Sequence, residues 1–194
     1  YVEHCRSAST LTLTLDVGSR MPLASSAIGR AWLAAASETD RAQALAQVRE
    51  LDDLAWPSIQ ANVNKALEDY RTLGVACSFG DWNKEVNGIA RAFDPGNGLP
   101  IMAINVGGPS YNLTPEFLIN EVRPKLLDLV RAIEDAAEEL QHLSSSGAAD
   151  DNDVEQTIIE LRTGREQHSF AGEAGIAGQD HVETVFDHFA VALA

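Results

Sequence analysis

The sequence predicts an α+β fold, a sheet with helices laid against one of its faces. Three observations carry that prediction. Thr10–Leu15 alternates threonine and leucine without a break; residues 25–74 repeat their apolar positions at helical spacing; and two strand-like runs flank the turn Asp94-Pro95-Gly96-Asn97-Gly98.

The elements follow in order. Thr10-Leu11-Thr12-Leu13-Thr14-Leu15 puts three leucines on one face, the pattern of a half-buried strand. After the loop Val17–Leu23, Ile28, Ala31, Trp32 and Ala35 mark a helix that Ser25 or Ser26 can cap. Ser37-Glu38-Thr39-Asp40 opens a second helix, with Ala42, Leu45, Val48 and Leu51 as its core stripe. Trp56-Pro57 starts a third, carrying Ile59, Val63, Ala66, Leu67 and Tyr70 and ending at Gly74. Val75–Phe79 and Gly88–Phe93 read as strands, the second forming a hairpin with Ile101–Val106. Gly107-Gly108-Pro109 is expected to stop that strand. Thr114-Pro115-Glu116 caps a long last helix with Val122, Leu126, Val130, Ile133, Ala137 and Leu140 inward, and Pro124 should kink or divide it.

Composition narrows the function. The chain of 194 residues is 45% hydrophobic and 22% charged, enough for a sizeable core. Fourteen basic against 29 acidic side chains leave a net charge of −15, which repels phosphate backbones, so this stretch should not itself bind nucleic acid. No apolar run is long enough to span a membrane. Two cysteines are too few for a disulfide scaffold, and a cytoplasmic location is the simplest expectation. The opening Tyr1-Val2-Glu3-His4-Cys5-Arg6 is neither a start methionine nor a signal peptide, and suggests a piece of a longer protein. Charge also shifts along the chain: residues 1–146 hold 12 basic and 19 acidic groups, residues 147–194 two and ten. We expect one domain over 1–146, with its N-terminal edge truncated. Residues 147–194 then form an acidic appendage with two short amphipathic helical segments, Val154/Ile158/Leu161 and Val182/Val185/Phe186/Phe189/Leu193.

Catalytic signatures are absent: there is no Gly-x-Ser-x-Gly elbow, phosphate-binding loop or His-Glu-x-x-His motif. His4, Cys5 and Cys77 read as ordinary strand residues, and Asp81, Glu85 and Asp94 as solvated acids. His181 and His188 fit a solvated helix face better than a metal site, so no metal, cofactor or enzyme activity is expected. Asn105 is more informative, because a buried amide in an apolar strand needs a partner: backbone, water or ligand.

The run Leu15-Asp16-Val17-Gly18-Ser19-Arg20-Met21-Pro22-Leu23-Ala24-Ser25-Ser26-Ala27-Ile28-Gly29-Arg30-Ala31-Trp32-Leu33-Ala34 resembles the signature of the IclR-type transcriptional regulators. Gly74-Val75, Asn87-Gly88-Ile89-Ala90, Asn105-Val106-Gly107-Gly108-Pro109 and Leu113-Thr114 match later blocks of that family in order and spacing. The resemblance spans about residues 1–143 and implies a GAF-like effector-binding domain. It further implies a DNA-reading winged helix-turn-helix in a separate N-terminal part, and assembly as a homodimer or dimer of dimers. The effector wall it implies comprises Leu13, Met21, Ala27, Ile28, Ser78, Val86, Gly88, Asn105 and Gly107. A small organic acid or aromatic compound is the expected effector. The alternative is a free-standing GAF-like sensor or interaction domain without a DNA-binding role.

Overall fold

The computed structural model describes residues 3–6, 19–145 and 188–193. The predicted strand at 10–15 and the segment around Val154, Ile158 and Leu161 lie outside the described residues.

Local chemistry sets the helix ends. Helix α1 (Ala27–Ala35) starts at Ser26, whose hydroxyl accepts the Gly29 N–H at 3.2 Å. Helix α2 (Glu38–Leu51) is capped by Ser37, which accepts the Asp40 N–H at 3.1 Å. The expected core stripe of α2 is corrected here: Leu45 and Val48 are only half-buried, and Leu51 is 87% exposed. Periodicity assigned the helix, but α2 has no layer to pack on, because other helices already cover the sheet. Helix α3 (Trp56–Leu73) carries Pro57 in its first turn and stops at Gly74, whose φ of 77° is left-handed.

Strands β2 (Ala76–Phe79), β3 (Val86–Phe93) and β4 (Met102–Pro109) pair antiparallel in sequence order. The 94–98 turn closes the β3–β4 hairpin as predicted, with the Asp94 carboxylate accepting the Gly96 N–H at 2.8 Å. Gly107-Gly108-Pro109 does not stop β4. The two glycines keep extended backbone opposite Gly88 and Asn87, and proline sits at the last position, where a missing donor costs least.

Strand β1 (Glu3–Arg6) and strand β5 (His188–Leu193) extend the sheet, in the order β1-β5-β4-β3-β2. The helical reading of Phe189 and Leu193 is therefore corrected. Phe-Ala-Val-Ala-Leu fits a period of two as well as a helical turn, and β4 offers an edge that only a strand can satisfy. Residues 188–193 thus belong to the sheet and do not form part of a separate appendage.

The expectation of a sheet covered on one face is also corrected. Alternation along β3 and β4 sends Ile89, Phe93, Ile104 and Val106 to one face, packed with Leu118, Val122, Leu126 and Val130. Ala90, Ala92 and Ala103 point to the other, against Ala27, Ile28 and Ala31 of α1. The second face consists of small side chains, so α1 lies close to the strands. Behind the first face runs a short helix α4 (Pro115–Phe117), a π-helical stretch Leu118–Val122 and helix α5 (Arg123–Ser145). Pro124 divides the long helix as expected. It has no N–H to give, and the preceding turn widens so that the Arg123 N–H reaches the Leu118 carbonyl.

Candidate functional site

Most of the implied effector wall converges on the α1 side of the sheet. Ser78, Gly88 and Gly107 form one cross-strand row, and Ala76, Ala90 and Asn105 form the next, with Ala190 of β5 beside Asn105. The first turn of α1 lies over these rows. A Cβ at Gly88 would stand 3.8 Å from the Ala27 methyl and 3.1 Å from the Val106 carbonyl oxygen. The missing side chain at 88 therefore lets helix and sheet approach; it does not leave open space. At Gly107 the nearest neighbour is the Asn105 amide nitrogen, 3.4 Å from where a Cβ would be. Ala27 and Ile28 are buried in the same cluster, Met21 packs half-buried against it, and Val86 lies at the far end of β3 on the same face. Leu13 lies outside the described residues.

The polar members differ in how they are satisfied. The Ser78 hydroxyl donates to the Ser25 carbonyl at 2.8 Å and keeps its acceptor capacity. Asn105 Oδ1 is buried with no hydrogen-bond partner, the one such side-chain atom among the described residues. A buried acceptor left this way costs about 1–3 kcal/mol, so the amide needs a donor that the described residues do not supply. Ser26 takes the Gly29 N–H, leaving those of Ala27 and Ile28 in the first turn of α1, where an acceptor or anion is favoured.

Two functional side chains escaped the sequence reading. Arg30 is 4% exposed. Its Nε donates to the Ala24 carbonyl and its Nη1 to the Cys77 carbonyl, each at 2.8 Å, and Nη1 also pairs with Asp81 at 2.6 Å. One guanidinium thus ties the loop before α1 to β2. Asp81, expected as a free surface acid, is in fact the partner of that buried cation. Asn87 is buried too, donating to the Leu113 carbonyl at 2.8 Å and fixing the segment that leads into α4. The signal for both was their place in the family-like blocks, Arg30 between Gly29 and Ala31 and Asn87 at the head of Asn87-Gly88-Ile89-Ala90, but neither block says what the side chain binds.

Cys77 behaves as a core thiol. Burial is the main cause that pushes its pKa up from an ordinary 9.0 to about 11. The folded thiol stays protonated where the unfolded one ionises. Its contribution is therefore complete below pH 9 and is lost as pH rises towards 11, by about 2–3 kcal/mol. Urea unfolding at pH 8 and pH 10.5 should show a steeper loss for the native chain than for Cys77→Ala. Equal losses in the two proteins would contradict this placement. Tyr70 is also raised by burial, and both proteins share that contribution.

The bacterial transcriptional regulator IclR C-terminal family matches residues 1–135. The chain is similar to the HTH-type transcriptional regulator TsaQ1/TsaQ2 of Comamonas testosteroni, 26% identical over 136 residues that make up 69% of this chain and 49% of that protein. It is also similar to the crystal structure of an IclR family transcriptional regulator from Brucella abortus, at 36% identity and a TM-score of 0.61 over 64% of this chain and 47% of that one. An IclR-family regulator from Rhodococcus sp. shares the fold at 23% identity and a TM-score of 0.51, over 72% of this chain and 51% of that one. The chain thus spans about half the length of these relatives, which are transcriptional regulators and not enzymes. No helix among the described residues is long and apolar enough to cross a membrane. With residues 1–135 matched and α1, the three-strand core and the closing helix in their expected order, the chain belongs to the IclR C-terminal family and has its α+β, GAF-like fold.

Proposed function

We propose that this chain is the effector-sensing and self-associating domain of a bacterial transcriptional regulator. In this reading it controls DNA binding by a winged helix-turn-helix N-terminal to it. The observation that carries the sensing role is Asn105 Oδ1, a buried acceptor without a partner, set beneath the first turn of α1. The site is walled by Met21, Ala27, Ile28 and Val86, with Ser78 and Asn105 as neutral anchors beside Gly88 and Gly107; the family resemblance adds Leu13 to this set. The effector is a small organic acid or aromatic compound larger than a two- or three-carbon acid. It carries a hydroxyl or protonated carboxyl that donates to Asn105, and an acceptor for the N–H groups of Ala27 and Ile28. Relatives of twice the length, one of them named HTH-type, support the separate DNA-reading part, as does the charge of −15 carried here.

Calorimetric titration with a panel of hydroxylated aromatic acids, and with glyoxylate and pyruvate as the small comparators, tests the reading. A member of the panel should bind, and Asn105→Leu should weaken it about five- to 150-fold, the equivalent of one buried hydrogen bond worth about 1–3 kcal/mol. Unchanged affinity in that variant, or a preference for glyoxylate and pyruvate, would count against the assignment.

Self-association has its own support. Leu51 and Leu54 are 87% and 96% exposed at the α2–α3 corner, beside a helix that buries no residue fully. Sedimentation at micromolar concentration should give a species larger than the 20.9 kDa monomer, and Leu54→Glu should reduce it. A monomer throughout would refute this role for the chain.

A further inference from the structure

A second cavity lies away from Asn105, between α1, α3 and the edge strand β2. It holds about 220 Å³, below the usual size of drug-sized sites and suited to a small metabolite. Its floor is apolar: the Ala66 methyl is 3% exposed, and Phe79 and the Cys77 thiol close it from β2. Its polar lining consists of two ion pairs. Arg30 pairs with Asp81 at 2.6 Å, and Lys65 pairs with Asp69 at 2.7 Å. The four charges sum to zero.

Each pair leaves an atom unused. Arg30 is 96% buried by its 4% exposure, and its Nε and Nη1 are taken by Ala24, Cys77 and Asp81. Its second amino group, Nη2, has no partner among the described residues, yet is not a fully buried orphan, so it opens to the cavity that Arg30 lines. On the opposite wall Lys65 engages only Oδ2 of Asp69, a side chain 24% exposed, and leaves Oδ1 as a free acceptor. The hydrogen bond to Asp69 also raises the pKa of Lys65, which holds its ammonium in the charged form.

From this arrangement we infer that the cavity is a binding site for a zwitterion, an α-amino acid with a compact apolar side chain. The ligand carboxylate meets Nη2 of Arg30, its ammonium meets Oδ1 of Asp69, and its side chain rests on Ala66 and Phe79. A bare anion fits worse. It would approach against the field of a chain carrying −15 and leave the Asp69 oxygen unused. A bare cation would leave the Arg30 amino group unused. A ligand bearing both signs satisfies both atoms without adding net charge to a site shielded from water on its floor.

The test uses the whole chain and valine as probe. Its two single-function analogues are 3-methylbutanoate, which lacks the amine, and 2-methylpropan-1-amine, which lacks the carboxylate. Ligand-observed NMR and calorimetry should show valine binding, with both analogues at least about tenfold weaker. Asp69→Asn should weaken valine at least about tenfold and leave 3-methylbutanoate unaffected. Asn62→Trp, an exposed rim position where a large ring covers the opening without entering the core, should abolish binding while the circular dichroism spectrum is kept. Asn105→Leu should not change valine affinity, which separates this site from the effector site proposed above. No binding by valine, equal binding by either analogue, binding that survives Asn62→Trp, or binding lost in Asn105→Leu would each overturn the inference.

Discussion

Replacing Arg30 by alanine should destabilise the protein by about 3–5 kcal/mol, read as a lower urea midpoint with an unchanged slope. Two backbone carbonyls, that of Ala24 part-buried and that of Cys77 buried, depend on this guanidinium at 2.8 Å each. Water does not replace it readily at a position 4% exposed, so each carbonyl is left with an unmet acceptor costing about 1–3 kcal/mol. The Asp81 carboxylate loses its partner as well, but at 40% exposure water screens most of that loss. Asp81→Asn should therefore cost far less than Arg30→Ala, under about 1 kcal/mol. Comparable losses in the two variants would mean that the ion pair dominates and the carbonyl bonds do not. Lysine at 30 should rescue poorly, because a single ammonium cannot reproduce the fork that reaches three acceptors.

Gly29→Ala should cost about 3 kcal/mol, the upper end of what overpacking does, although it adds one methyl group. That methyl would stand 2.4 Å from the Leu23 carbonyl oxygen and 2.6 Å from the Leu23 Cα, both backbone atoms. No rotamer change relieves such a contact. Either α1 or the loop before it must move, and the Ser26 cap and the Arg30–Ala24 bond hold that loop in place. The same shift displaces Ala27 and Ile28, so effector affinity should fall along with stability. A loss below about 1 kcal/mol would show the Leu23 segment to be freely adjustable, and would weaken the view that α1 is a fixed wall of the site.

The features of this fold that obey short-range rules were legible in the chain before it folded. A serine cap at 25 or 26, the Ser37 cap, the Pro57 start, the Gly74 stop, the 94–98 turn and the break at Pro124 were all readable, because each is settled within one turn of chain. The ordered blocks of the signature likewise carried the family. What needed tertiary structure was which layer receives each face. The stripe on α2 is periodic yet unburied, because burial depends on a neighbour that periodicity cannot report. Ala76, Ala90, Ala92 and Ala103 have little strand preference of their own, yet their small side chains are the reason α1 can cover a second face of the sheet. Phe189–Leu193 fits either period, and only the open edge of β4 decides for a strand. Arg30 and Asp81 lie 51 residues apart, so no local pattern marks them as a pair. A buried charge is defined by the groups that surround it, and those come together only when the chain folds.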